Sequence, residues 1–151
     1  MAEKTSKDQQ AETTFFHPDL LEIPKTGLPY LKGYRCRQCG EVWFPKFAHC
    51  PNPDCWSGEM EVIPLSRRGR VYSATDVFIG QHSMRRYMPL TMGYIDLPEG
   101  VRIFSQLDGE LGSFRCDDEV ELTTGFVRDN AKGEAICSYK FKKIEQTERP
   151  K

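Results

Sequence analysis

The chain has 151 residues and a formal net charge of −1 at pH 7, so it presents no overall field that would attract nucleic acid or an anionic membrane. Its apolar fraction of 38% and charged fraction of 28% are ordinary for one globular domain, alone or with a small metal-stabilised annex. No apolar run approaches the ~20 residues of a membrane span, and residues 1–14 lack the apolar core of a secretory signal. The composition therefore predicts a cytoplasmic protein with no membrane or nucleic-acid partner.

The N-terminal part divides into a polar tail and an apolar segment. Residues 1–14 are rich in Lys, Glu, Gln and Thr and are expected to be disordered. In residues 15–33, Pro18 at a first helical position and the closing Pro24 predict a short helix over 18–23. Its apolar side chains must cover the body of the chain or a partner, so we expect a docking segment; they are Phe15, Phe16, Leu20, Leu21 and Ile23.

Residues 34–60 contain two close cysteine pairs, Cys36 with Cys39 and Cys50 with Cys55, separated by a ten-residue arm. Each pair lies on a tight turn, and the arm brings the turns together, so the four thiolates can surround one ion. A set of cysteines selects zinc or iron, and zinc is expected because it dominates structural sites.

Other interpretations of these cysteines remain open. Two disulfides could form instead, and His49 beside Cys50 could replace one thiolate as a ligand. The unpaired Cys116 and Cys137 favour a reducing compartment, where thiolate ligands also persist. A ribbon this small buries little core, so metal ligation is expected to supply most of its stability.

After the cysteines the pattern changes to period-two alternation, with turn signals about every 8–12 residues. In the first long strand this alternation places Val71, Ser73 and Thr75 on one face and Ala74 on the other. Five or six short strands over 61–142 favour a closed barrel of the OB kind, because closure removes exposed edges, with a two-sheet sandwich as the alternative. The predicted fold is mainly β: an N-terminal helical segment, a rubredoxin-like zinc ribbon, a five-stranded OB-fold barrel and a flexible tail over 143–151.

The order of these pieces resembles the zinc-ribbon plus OB-fold proteins that are associated with acyl-CoA enzymes and encoded beside thiolases. The matching residues span about 30–141, and they are Cys36-Arg37-Gln38-Cys39-Gly40, Phe44-Pro45-Lys46, Cys50-Pro51, Arg68-Gly69-Arg70-Val71-Tyr72-Ser73, Pro89, Gly93-Tyr94-Ile95-Asp96-Leu97-Pro98-Glu99-Gly100 and Asp118-Glu119-Val120-Glu121-Leu122. The chain departs from the family pattern in its second cysteine pair, which has four intervening residues where two are usual. It also carries Asp117 where the family tends to have glycine.

This resemblance implies a non-catalytic subunit that forms a hetero-oligomer with a thiolase-superfamily catalytic subunit. The partner would carry out thiolytic carbon–carbon cleavage or Claisen condensation, and this chain would bridge active sites or share a coenzyme A thioester. The residues agree, because Cys137 alternates with Tyr139 and Phe141 as a buried thiol, and Cys116 lies beside acidic residues that disfavour a thiolate. We therefore predict no catalytic residue in this chain.

Coenzyme A carries phosphates and an adenine ring, so its contacts call for arginine or lysine beside an apolar wall. The candidates for coenzyme A contact are Arg67, Arg68, Phe78, Arg85 and Arg86, with Tyr87 and Met88 as further walls. Solvated loop charges are the alternative interpretation of these arginines. Two other functions stay open at this point: nucleic-acid binding, which OB folds and zinc ribbons both serve, and rubredoxin-like electron transfer by iron in the cysteine site.

Overall fold

The computed structural model describes residues 14–144, which form ten β-strands and one 3₁₀ helix. The strands are Thr14–Phe15 (β1), Leu21–Glu22 (β2), Tyr30–Cys36 (β3), Val42–Trp43 (β4), Met60–Pro64 (β5), Arg68–Val77 (β6), Leu90–Asp96 (β7), Arg102–Asp108 (β8), Glu119–Asp129 (β9) and Ala135–Lys143 (β10), and the helix is His82–Tyr87. The predicted tails over 1–14 and 143–151 fall outside the described residues, except that Thr14 begins β1, Lys143 ends β10 and Ile144 follows it.

Strands β6 to β10 close into a barrel. The pairs β6–β7, β7–β8, β9–β10 and β6–β9 are antiparallel, while β8 and β10 run parallel. The cyclic order is therefore β6-β7-β8-β10-β9 and back to β6, which is the strand order of the OB fold. The prediction of a mainly β chain with a five-stranded OB barrel is confirmed, and the sandwich alternative is wrong.

Apolar side chains that alternate with exposed ones fill the barrel. Ile95 on β7, Ile103 on β8 and Phe141 on β10 are completely buried. Burying such a side chain contributes about 1.5–3 kcal/mol, so this interior is the main source of the barrel's stability. Leu31 and Leu65 belong to the same buried cluster, which joins the cysteine-bearing sheet to the barrel.

The pairing of β6 with β7 is interrupted by a β-bulge at Tyr72. The register shifts between Val71 and Ser73, which leaves Val71 buried, Tyr72 exposed and Ala74 packed against the core. The predicted alternation, with Val71, Ser73 and Thr75 on one face, is therefore wrong beyond Val71. An extra residue in a strand exchanges the two faces for every position after it.

The helix predicted over 18–23 is also wrong. A turn leads instead into β2, where Leu21 opposes Leu31 in an antiparallel pair and is buried in the common core. Six residues are too few to repay helix nucleation, whereas the strand pairing buries a leucine. Phe16 and Ile23 each remain 50% exposed. The segment therefore covers the body of the chain through Leu21 and still presents apolar surface.

Candidate metal centre

The first cysteine turn follows directly from β3. Cys36 ends that strand, its amide donates to the carbonyl of Glu41, and the amide of Gly40 donates back to the carbonyl of Cys36 at 2.9 Å. Gly40 has a φ of 80°, a conformation that glycine adopts without a steric penalty. The turn thereby reverses the chain and directs Cys36 and Cys39 to the same point.

The second turn accommodates its two extra residues through Asn52. The side-chain oxygen of Asn52 accepts a hydrogen bond from the amide of Asp54. The backbone carbonyl of Asn52 accepts from the amides of Cys55 and Trp56 at 3.0 and 3.1 Å. Trp56 has a φ of 51° and takes the place after the second cysteine that Gly40 takes in the first turn. The longer loop therefore still brings Cys50 and Cys55 to the site.

The four Sγ atoms of Cys36, Cys39, Cys50 and Cys55 lie within 4.8 Å of one another. The closest contacts join the two turns, with 3.6 Å between Cys36 and Cys55 and 3.6 Å between Cys39 and Cys50. Zinc–sulfur bonds of about 2.3 Å in a tetrahedron place the sulfurs about 3.8 Å apart, so this donor set fits zinc. All four cysteines are free thiols here, so the disulfide alternative is wrong.

All four of these thiols can ionise together only beside a cation. Burial raises the pKa of the Cys50 thiol to about 12, while the backbone N–H of Cys39 lowers the pKa of the Cys36 thiol to about 6. A thiol with a pKa near 12 keeps its proton at neutral pH unless a metal replaces that proton. Four thiolates at this spacing are therefore stable together only around a metal ion.

His49 is held away from the cluster by a different contact. Its ring stacks on the indole of Trp56, with centroids 5.5 Å apart and planes 7° from parallel. The potential metal-binding group found among residues 14–144 consists of the four cysteines alone. His49 thus supports the unusual backbone at Trp56, and the alternative of a histidine ligand has no support in the geometry.

The residues predicted to contact coenzyme A lie in two separate places. Arg67 is half-buried and donates to the carbonyls of Pro29 and Leu122, both at 2.8 Å, so its guanidinium links the N-terminal segment to β9. Arg68 begins β6, whereas Phe78 and the 3₁₀ helix with Arg85 and Arg86 follow the end of that strand. A ten-residue strand spans about 30 Å, so the two groups cannot form one compact site.

Sequence reasoning missed a polar and aromatic cluster on the outside of the barrel. The guanidinium carbon of Arg102 lies 3.4 Å from the ring centroid of Tyr72, and its nitrogens donate to both carboxylate oxygens of Asp96 at 2.6 and 3.1 Å. Tyr94 and Phe104 pack beside each other with ring centroids 5.0 Å apart. The hydrogen bond to Asp96 raises the pKa of Arg102 above its ordinary value. The pairing of β7 with β8 brings Tyr94 opposite Phe104 and Asp96 opposite Arg102. The only sign of this cluster in the sequence was that Tyr94 and Phe104 occupy outward-facing strand positions.

A four-cysteine ribbon packed on a closed OB barrel defines a class of small zinc-stabilised β proteins. Family models agree in both parts: the rubredoxin-like zinc ribbon domain of ChsH2 matches residues 28–61, and the C-terminal OB-fold domain of ChsH2 matches residues 62–125. The ribbon match and the cysteine cluster together support a structural zinc. The one helix described in residues 14–144 lacks the length and apolar character needed to cross a membrane.

Two curated relatives match nearly the whole chain. The chain is 60% identical over 138 residues to the benzoylsuccinyl-CoA thiolase subunit BbsA of Thauera aromatica, covering 91% of this chain and 93% of the relative. It is 54% identical over 143 residues to the subunit of the same name from Geobacter metallireducens, covering 94% of each. A solved structure, the Ltp2-ChsH2(DUF35) aldolase, shares the fold with a TM-score of 0.59 at 22% identity, covering 76% of this chain and 84% of that chain. The chain belongs to the family of ChsH2-type zinc-ribbon and OB-fold proteins that includes these BbsA subunits, and the predicted resemblance is confirmed.

Proposed function

We propose that this chain is the non-catalytic zinc-ribbon and OB-fold subunit of a thiolase-type acyl-CoA enzyme, and that the assembled enzyme cleaves 2-benzoylsuccinyl-CoA. The 60% identity to the Thauera aromatica subunit, over nine-tenths of both chains, is the observation that carries this proposal. In the thiolytic step, a cysteine thiolate of the catalytic subunit attacks the ketone carbon of the substrate, the carbon–carbon bond breaks, and the leaving carbanion takes a proton to become the first thioester product. The thiol of free coenzyme A then accepts the acyl group from that cysteine, which forms the second thioester and frees the cysteine.

The cysteines and histidines of this chain favour a catalytic partner that carries out the thiolysis. Thiolysis needs an activated cysteine, an acid–base group and an oxyanion pocket. Cys116 is exposed in the loop before β9, and Cys137 lies half-buried in β10. His49 stacks on Trp56, and His17 packs edge-on against an aromatic ring with centroids 4.4 Å apart. Both imidazoles are engaged with aromatic rings and not with a cysteine that they could activate. We therefore assign the reacting cysteine to the partner.

Co-expression with the thiolase-like catalytic subunit tests the proposal directly. We expect the two chains to elute together from a sizing column, with about one zinc per copy of this chain. Thiolysis of 2-benzoylsuccinyl-CoA should require the catalytic subunit and should not occur with this chain alone. Elution of the two chains as separate species, or turnover by this chain alone, would contradict the proposal.

Contact with coenzyme A is proposed for the 3₁₀-helix end of the barrel. Phe78 is 67% exposed there, and Arg85 is exposed seven residues further along the chain. Arg86 is partly engaged, because it donates to Asp129 at 3.3 Å and lies over the ring of Tyr87. Arg85 and Phe78 can therefore meet a phosphate and an apolar part of the cofactor without breaking a contact.

Arg68 offers a matched control because it is an exposed arginine at the opposite end of β6. In the assembled enzyme, Arg85→Ala should raise the KM for coenzyme A about three- to tenfold, because a solvent-exposed charged contact of about 1 kcal/mol is lost. Arg68→Ala should leave that KM within about twofold. If only Arg68→Ala raised the KM, the coenzyme A contact would lie at the other end of the barrel. If neither variant raised the KM, the proposed contact would be contradicted.

A further inference from the structure

A cleft of about 600 Å³ lies where the ribbon meets the barrel. One wall comes from the arm between the cysteine pairs and is mostly aromatic, and the other comes from the turn between β7 and β8. The residues that matter below are Glu41, Trp43, Phe44, Phe47, Glu99 and Arg102. This cleft is separate from the cysteine cluster and from the positions proposed for coenzyme A.

Two side chains of this cleft bury polar atoms that have no hydrogen-bond partner among residues 14–144. These atoms are Nε1 of Trp43 and Oε2 of Glu99. The indole nitrogen can only donate, and the carboxylate oxygen can only accept. The other oxygen of Glu99 accepts from the amide and the hydroxyl of Ser66 at 2.6 and 2.7 Å, which fixes the carboxylate. Buried polar groups are normally paired, so two shielded polar atoms without partners, on side chains that line one cleft, indicate a ligand that moves a covering side chain aside when it binds.

The ligand must present an acceptor to Trp43 and a donor to Glu99. A backbone amide does both, because its carbonyl accepts and its N–H donates. The aromatic wall, in which the rings of Trp43 and Phe47 lie edge-on with centroids 6.3 Å apart, suits an apolar side chain next to that amide. The chemistry of the cleft is therefore that of an extended peptide segment.

The charges of the cleft oppose a phosphate-bearing ligand. Glu41 and Glu99 bring two carboxylates, while the charge of Arg102 is balanced by Asp96, to which it makes two hydrogen bonds. No other cation belongs to the described lining of this cleft. An uncharged or basic segment is compatible with that surface, and an anionic one is not.

We propose that this cleft receives an extended apolar segment of the thiolase-type catalytic subunit, with one backbone amide paired to Trp43 and Glu99 and no acidic side chain at that point. This inference rests on the proposed function, because the segment belongs to the proposed partner. The ribbon and the barrel then both contact the partner. The zinc site contributes to binding because it fixes the position of the aromatic wall.

The test measures the dissociation constant of the complex between the full-length chain and the catalytic subunit. Trp43→Phe removes the N–H and keeps an aromatic ring, and should weaken binding about fivefold. Glu99→Gln keeps an oxygen for Ser66 but turns an amide donor toward the partner's N–H, and should weaken binding about tenfold or more. The matched control is Trp56→Phe, which changes the other tryptophan of the ribbon and should alter binding less than twofold. Zinc content and melting temperature show that each variant is folded.

The outcomes separate this inference from the proposed function. If the wild-type chain forms no complex, the proposed function fails. If the complex forms and Trp43→Phe and Glu99→Gln bind like wild type, or if Trp56→Phe weakens binding equally, the cleft is not the contact.

Two further arms use Trp43 fluorescence of the isolated chain in the Trp56→Phe background. A change on deleting residues 1–13 would make a segment of this same chain the occupant and overturn the inference. A saturable change with micromolar pantetheine would make the cleft a small-molecule site and overturn it as well. No change in either arm, with a shift on adding the catalytic subunit, is the expected result.

Discussion

The backbone amide of Asp117 donates a hydrogen bond of 2.8 Å to the carbonyl of Val71, and the amide of Val71 donates one of 3.0 Å to the carbonyl of Asp118. This exchange ties the loop before β9 to the bulged part of β6. Asp117 makes it with a φ of 69°, in the left-handed region where glycine is most favourable. These two backbone bonds hold the turn with an aspartate at the position where the resemblance implies glycine.

Replacing this aspartate should change stability in a predictable direction. Asp117→Gly should raise the free energy of unfolding by about 0.5–1 kcal/mol, because the left-handed conformation costs an L-residue about 1–2 kcal/mol and aspartate less than most. Asp117→Val should lower it by about 1–2 kcal/mol, since a branched side chain tolerates this conformation poorly. Urea denaturation of the three proteins provides the measurement. A loss of stability in the glycine variant would mean that the aspartate side chain itself holds the loop.

Gly93 permits the close approach of β7 to the bulged strand. A Cβ at this position would lie 2.4 Å from the carbonyl oxygen of Ser73 and 2.9 Å from the side chain of Leu107. Gly93→Ala should therefore cost more than about 2 kcal/mol of stability, because backbone must move to relieve the overlap. Gly125→Ala is the control, since its Cβ would meet only the flexible Lys140 side chain at 3.5 Å. Thermal unfolding should show a large drop for the first variant and almost none for the second.

Removing one thiolate should empty the metal site without unfolding the barrel. Cys50→Ser should lower the zinc content from about one per chain to well below that, because a structural site needs all four ligands. Amide signals of residues 34–60 should lose dispersion in NMR spectra, while those of the barrel stay in place. Cys116→Ser, at an exposed cysteine outside the cluster, should leave zinc and spectra unchanged. Iron at one atom per chain with a red colour would instead support an electron carrier.

Two apolar residues of the N-terminal segment should have different roles: Leu21 should stabilise the fold, and Ile23 should contact the partner. Leu21→Ala should cost about 2–5 kcal/mol of stability, because Leu21 lies in the barrel cluster. Ile23→Ala, at a half-exposed position, should change stability by less than about 0.5 kcal/mol. If the segment docks on the catalytic subunit, Ile23→Ala should weaken the complex instead. Equal loss of stability in both variants would contradict this division.

Short-range features of this chain were readable from its residues. The spacing of Cys36, Cys39, Cys50 and Cys55 predicted a four-thiolate site, since two tight turns and a ten-residue arm leave the sulfurs few other arrangements. Period-two alternation predicted the OB barrel, because a small β domain without exposed edges must close. Both are local consequences of chain geometry, and the extra residues before Cys55 did not disturb them.

Other features of the fold depended on pairing between strands that are distant in the sequence. The bulge at Tyr72 and the pairing of Leu21 with Leu31 depend on which strand lies alongside, and no local propensity encodes that choice. The length of β6 separates Arg68 from Arg85, although the two looked like one basic group in the sequence. The sequence alone determined the metal ligand set and the class of fold, because these follow from neighbours along the chain. Tertiary structure alone brought Trp43 and Glu99 into one cleft, because residues 56 positions apart meet only when the ribbon packs against the barrel.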